Sequence, residues 1–285
     1  MKTILGWMLA LAVGLIGGHA IPARAAEVWE QLPAPAPLPK ATESGYAAVN
    51  GIELWYAVYG EGQPVVFLHG GLANGEYWGN QVQVFAKQYK VILVDSRGHG
   101  RSTRDDKPYT YGLMASDVVA LLDKLEIEKA AVVGWSDGGI IGLDLAIHHP
   151  ERLTRVFAFG ANSDPSGLRE GLDTNATFNR FIEEAGQAYA RLSKTPKDYD
   201  GFLAAIAKMW ATEPNYTQAQ LNGIKVPVAI ADGEYDEAIK REHTEWLAQQ
   251  IPGAKLVILP KVSHFAMLQN PAVFDAAVLA FLAGE

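Results

Sequence analysis

Apolar residues fall along this chain in short runs, separated by amphipathic stretches and glycine-rich turns. Tyr46–Val49 and Ile52–Tyr59 flank Asn50-Gly51, a dipeptide suited to a two-residue hairpin turn. Val65–Leu68, Val91–Val94, Ala130–Val133, Arg155–Phe159, Val226–Ala231 and Leu256–Leu259 are mostly apolar and too short for stable helices. They do not alternate, so they predict strands buried on both faces. Between them lie patterns of helical period, over Tyr77–Tyr89, over Ser116–Leu125, and over Ile140–His148 before Pro150. An apolar helix over Pro271–Leu282 closes the chain. Strand and helix in alternation predict an α/β protein with a mostly parallel sheet, helices on both faces and an antiparallel hairpin at one edge.

One interval breaks the rhythm. Phe159 and Val226 are separated by 66 residues, where a crossover needs only a loop and one helix. Phe178 and Phe181, and Phe202, Ile206, Met209 and Trp210, sit at helical spacing within it. The stretch from about 162 to 225 therefore predicts a helical cap. Open α/β sheets bind ligands at the carboxyl ends of their strands, which is where such a cap would lie.

Length and composition narrow the class. The 285 residues suit one domain with an insertion, 49% hydrophobic and 20% charged, as in ordinary globular proteins. A net charge of −8 without a basic cluster argues against nucleic-acid binding. The absence of cysteine excludes disulfides, zinc–thiolate sites and a cysteine nucleophile.

The N-terminus has the layout of an export signal. Lys2 precedes an apolar and glycine run over Ile4–Ile16, and Ala23-Arg24-Ala25 is a small-x-small cleavage pattern. The run is short of the roughly 20 residues needed to span a bilayer. Residues 1–26 are thus expected to be a signal peptide, removed on export to a periplasm or the exterior, leaving no stable membrane insertion. Residues 27–44 place Pro33, Pro35, Pro37 and Pro39 at alternate positions and predict an extended strap outside the core. The folded domain is expected over 45–285.

Gly134-Trp135-Ser136-Asp137-Gly138 follows a predicted strand and precedes a predicted helix. In that context G-x-S-x-G is a tight turn that lifts a serine hydroxyl above the sheet and makes Ser136 the candidate nucleophile. A serine hydroxyl needs a base. Among the seven histidines, His264 lies in the loop between the last strand and the last helix. His148 and His149 end a helix, His69 and His99 lie in glycine turns suited to structural roles, and His243 is expected to be solvated. The orienting carboxylate is expected from Asp236, just past Val226–Ala231, with Asp232, Glu234 and Asp164 as rivals. Two backbone N–H donors would complete an oxyanion hole. One belongs to Asp137 and the other to Gly71, with Leu72 as the alternative. Leu72, Trp135, Asp137 and Trp210 are the candidate substrate contacts.

These motifs together resemble the α/β-hydrolase superfamily from about Gly45 onward. His69-Gly70 is similar to its oxyanion-loop motif, and Asp95-Ser96-Arg97-Gly98-His99-Gly100-Arg101-Ser102 to its structural D-x-R-G-x-G-x-S turn. The order Ser136, Asp236, His264 is the family's order. Gly134–Ile140, with Phe159-Gly160-Ala161-Asn162, is similar to the biphenyl hydrolase-like, or valacyclovir hydrolase, branch. That resemblance implies cleavage of a small carboxylic ester, an amino acid ester or lactone among them, through an acyl-enzyme, without metal or organic cofactor. It also implies that the Asp137 side chain meets a substrate amino group. Carbon–carbon bond hydrolases and perhydrolases use the same serine triad and are the alternative chemistry. A hydrolase-fold ligand-binding protein or receptor with little turnover is the alternative of another class.

Overall fold

The computed structural model describes residues 26–284. Eight strands form one sheet: β1 (Glu43–Val49), β2 (Ile52–Tyr59), β3 (Gln63–Leu68), β4 (Tyr89–Val94), β5 (Ala130–Trp135), β6 (Leu153–Phe159), β7 (Val228–Gly233) and β8 (Lys255–Leu259). Their order across the sheet is β1-β2-β4-β3-β5-β6-β7-β8. β1 pairs antiparallel with β2 and β2 antiparallel with β4, while every later pair is parallel. The hairpin turns on Asn50 and Gly51 at φ 47° and 84°, positive values that a two-residue turn requires and that glycine accommodates without strain. β5 and β7 are buried at every position, as expected for strands covered on both faces.

The helices are α1 (Gly79–Phe85), α2 (Tyr111–Lys124), α3 (Asp137–His148), α4 (Ala176–Leu192), α5 (Tyr199–Trp210), α6 (Gln218–Gly223), α7 (Arg241–Gln250), α8 (Ala266–Gln269) and α9 (Pro271–Ala283). The helix predicted over Tyr77–Tyr89 is shorter than its pattern. A 3₁₀ turn occupies Gly75–Trp78, and Tyr89 is drawn into β4 by pairing with Gln63. The insertion after β6 carries α4, α5 and α6, with Phe181, Phe202, Ile206 and Met209 turned into the core.

Two expectations need correction. His243 is buried rather than solvated, because α7 turns it inward with Thr244 and Leu247, and its Nε2 accepts the Ser163 N–H at 3.1 Å. The proline-rich strap is not wholly outside the core, because Leu32 is 3% exposed and packs within it. The carbonyl of Ala36 sits where a Cβ on Gly79 would be. The candidate signal segment lies outside the described residues, apart from Ala26. No helix among the described residues is long and apolar enough to cross a membrane.

Candidate active site

Ser136 joins β5 to α3 with φ 55° and ψ −119°. A non-glycine residue in that region stores strain of about 1–3 kcal/mol, so the surroundings must hold it. They do so through backbone. The Ser136 N–H donates to the Phe159 carbonyl at 2.7 Å, and its carbonyl accepts from Ile140 at 3.0 Å. A Cβ on Gly134 would collide with the Gly138 carbonyl, and one on Gly138 with that of Leu68. The two flanking glycines therefore permit the turn at which strand, helix and oxyanion loop meet.

His264 follows β8, and Asp236 follows β7. His264 Nδ1 lies 2.7 Å from Asp236 Oδ2, and both residues are buried. Asp236 Oδ1 accepts the N–H groups of Ala238 and Ile239, each at 2.7 Å. Burial opposes its charge, yet the His264 imidazolium and these hydrogen bonds hold its pKa at about 2. Burial likewise disfavours protonated His264, but the negative charges of Asp236, Glu237 and Asp137 outweigh it and raise its pKa. The rival acids are occupied elsewhere. Asp164 caps the turn at Ser166, and Glu234 accepts from Lys261. Asp232 accepts the Thr244 hydroxyl at 2.6 Å.

Ser136 and His264 line one cleft of about 460 Å³, counting its part open to solvent. Their side chains make no hydrogen bond to each other among the described residues. Contacts of this kind often tighten only when substrate binds. Leu168, Leu172, Phe178, Ala238 and Ile239 supply apolar wall, and Trp210 and Glu213 come from the end of α5 and the loop after it. The cap thus covers the serine.

Gly71 is close-packed against the Trp210 ring and the Asp137 carboxyl, where a Cβ would collide. The backbone N–H groups of Gly71 and Asp137 take no acceptor among the described residues. The Asp137 side chain faces the cleft and is held by neutral donors. Trp210 Nε1 donates to both oxygens at 3.0 Å, and the Tyr111 hydroxyl to Oδ1 at 2.9 Å. Burial raises its pKa to about 6, and those hydrogen bonds limit the rise.

Leu72 and Trp135, expected as substrate contacts, do not line this cleft. Both are buried. The Trp135 indole is taken up in an aromatic cluster with Tyr77, Phe181 and Phe265, because the last residue of β5 packs between sheet and cap. Leu72 sits in the core with φ 65°. Three lining or supporting residues carried no clear signal in the sequence. Tyr111 sits behind the Thr110 N-cap, and its backbone N–H donates to Glu213 at 3.0 Å. Glu237 accepts the His264 backbone N–H at 3.0 Å.

The strap reaches the same loops. Trp29 stacks on Tyr235 with ring centroids 4.0 Å apart. Gln269 Nε2 donates to the carbonyls of Trp29 and Gln31 and to the hydroxyl of Ser263, the residue before His264.

This strand order, with a strained serine after β5 and an acid and a histidine after β7 and β8, agrees with comparison to known proteins. Residues 63–205 match the family model described as the alpha/beta hydrolase fold. The chain belongs to that family. RutD of Caulobacter sp. (strain K31), a candidate carbamate hydrolase, is 31% identical over 81% of this chain and 96% of its own. The serine hydrolase BPHL of Mus musculus is 28% identical over 85% of this chain and 87% of its own. Among solved structures, Est816, described as an N-acyl homoserine lactone degrading enzyme, superimposes with a TM-score of 0.67 and is 30% identical. It covers 83% of this chain and all of its own. Relatives of this kind support a hydrolase.

Proposed function

We propose that this hydrolase cleaves a small carboxylic ester through an acyl-enzyme on Ser136. The observation that carries the reading is the buried 2.7 Å contact between Asp236 and His264, opening on the cleft that holds the strained Ser136. Ser136 Oγ attacks the ester carbonyl as His264 Nε2 takes its proton. Asp236 holds the imidazole through Nδ1 and offsets the imidazolium charge. The N–H groups of Gly71 and Asp137 stabilise the oxyanion. Collapse expels the alcohol, which takes the proton from His264. Water then attacks the acyl-enzyme by the same route in reverse roles and frees the acid.

Amino acid esters are the substrates we favour. Among the described residues, the cleft is lined by the acids Asp137 and Glu213 and by no lysine or arginine. A carboxylate held only by neutral donors retains its negative charge for a ligand cation. Lactones contain the same acyl–oxygen bond, and Est816 is described as degrading one.

Replacing Ser136 tests the chemistry. Ser136→Ala should abolish turnover of a p-nitrophenyl ester while the melting temperature stays within a few degrees, and retained turnover would overturn the reading. A fluorophosphonate should label the native protein at Ser136. Failure to label would favour the alternative of a binding protein. We further infer export of the mature chain, and mass spectrometry of the secreted or periplasmic protein should find a start near Glu27.

A further inference from the structure

The strap turns successive backbone carbonyls to two different sides of the site. Gln269 Nε2 accounts for Trp29 at 3.3 Å and Gln31 at 2.8 Å, donating to both carbonyls. The carbonyls that alternate with them go to the cap. Thr177 Oγ1 donates to that of Glu30 at 3.2 Å, and Arg180 Nη2 to that of Leu32 at 3.1 Å. Thr177 and Arg180 stand in the first turns of α4, on either side of Phe178, which lines the cleft.

On the catalytic side, Gln269 is fastened to the residue before His264. Its Oε1 accepts the Ser263 N–H at 2.7 Å, and its Nε2 donates to the Ser263 hydroxyl at 2.9 Å. An amide suits this place because one atom must accept from an N–H while the other donates to carbonyls. The strap is itself anchored, by the buried Leu32 and by the stack of Trp29 on Tyr235, the residue before Asp236. The cap and the His264 loop also touch directly, Phe181 lying 5.2 Å and Phe178 6.4 Å from Phe265 between ring centroids. Apolar contact holds two surfaces together without fixing their register, whereas hydrogen bonds have direction.

We propose that the strap is a bridge that fixes α4, and with it the Phe178 wall, relative to the His264 loop, with Gln269 as its positioning residue. The proposal rests on the role given above to His264 and on the cleft as the place where the ester binds. It makes the acyl size accepted at Ser136 depend on residues outside the cleft.

A plainer role is cover alone, in which the strap only shields apolar surface. Cover predicts local effects, and a bridge predicts reciprocal ones. Variants of the full chain separate the two. Thr177→Val with Arg180→Ala cuts the cap side and leaves Phe178 and Phe181 in place. Hydrogen–deuterium exchange over residues 263–269 should then quicken about threefold or more, although the substitutions lie in α4. Gln269→Glu keeps an acceptor for the Ser263 N–H but turns a second acceptor on the strap carbonyls. It should quicken exchange in the first half of α4 by a similar factor. Both variants should narrow the kcat/KM preference for p-nitrophenyl acetate over the octanoate, by about threefold or more. Glu184→Ala removes the other partner of Arg180, leaves the strap bonds in place, and should change neither readout. Exchange that quickens only in the element carrying the substitution would overturn the proposal. So would an acyl preference equal to wild type, or an equal effect of Glu184→Ala. If Gln269→Glu does not fold, the cap-side variant decides alone. Exchange needs no turnover, so a wild type inactive on every ester counts against the proposed function, whereas uncoupled exchange counts against the bridge.

Discussion

Asp236 and Asp137 are similarly buried, 3% and 6% exposed, and both belong to the loops around Ser136. Their acidities diverge. Asp236 is held at about 2 and Asp137 is raised to about 6. Burial penalises both charges, so burial does not account for the difference. The partners do. Asp236 meets two backbone N–H groups and an imidazole that becomes cationic, whereas Asp137 meets an indole and a phenol. One carboxylate is locked to a group of the protein itself. The other keeps its charge available to whatever enters the cleft.

The sharpest way to break this comparison is at the locked carboxylate. Asp236→Asn keeps the shape but presents the wrong group to His264 Nδ1, and should cost about 10⁴-fold in kcat. Steady-state kinetics on a p-nitrophenyl ester reads it, and a loss below tenfold would refute the assignment. The available carboxylate should respond differently. Asp137→Asn should leave turnover of neutral esters nearly intact and lower kcat/KM for amino acid esters about 10- to 100-fold. In wild type the preference for the amino acid ester should also weaken as pH falls through about 6, where Asp137 gains a proton. A preference that is flat with pH and unmoved in the variant would remove Asp137 from substrate recognition.

A smaller effect concerns pH alone. His264 must be neutral to accept a proton, and its pKa is raised, so activity should climb with pH through a value above 6.5. Glu237 contributes to that rise. Glu237→Gln should therefore move the acid limb of the pH–rate profile to lower pH. A limb that stays in place or moves upward would contradict the electrostatic account.

Much of this was legible in the sequence for physical reasons. The central strands announced themselves because strands covered on both faces must be apolar without interruption, as in Ala130–Val133. Ser136 was legible because its backbone geometry demands small neighbours at 134 and 138. His264 and Asp236 followed from chain order around the sheet. The cap's presence could be read from its length, but not which of its residues face the serine. Trp210 and Phe202 share one helical face by spacing, yet the first lines the cleft and the second is core. Trp135 shows the converse error, since adjacency to the nucleophile in sequence says nothing of where an indole points. Glu213 and Tyr111 meet across 102 positions, a separation at which no local pattern survives.

The strap has a consequence for timing. Gln269 bonds to Trp29 and Gln31, which lie 240 and 238 positions earlier. During synthesis the strap emerges more than 230 residues before its partner. The link between the strap and the loop carrying His264 therefore forms only after Gln269 has been added, however well the earlier strands have folded. A chain that ends before α8 would lack every bond that Gln269 makes to the strap and to Ser263.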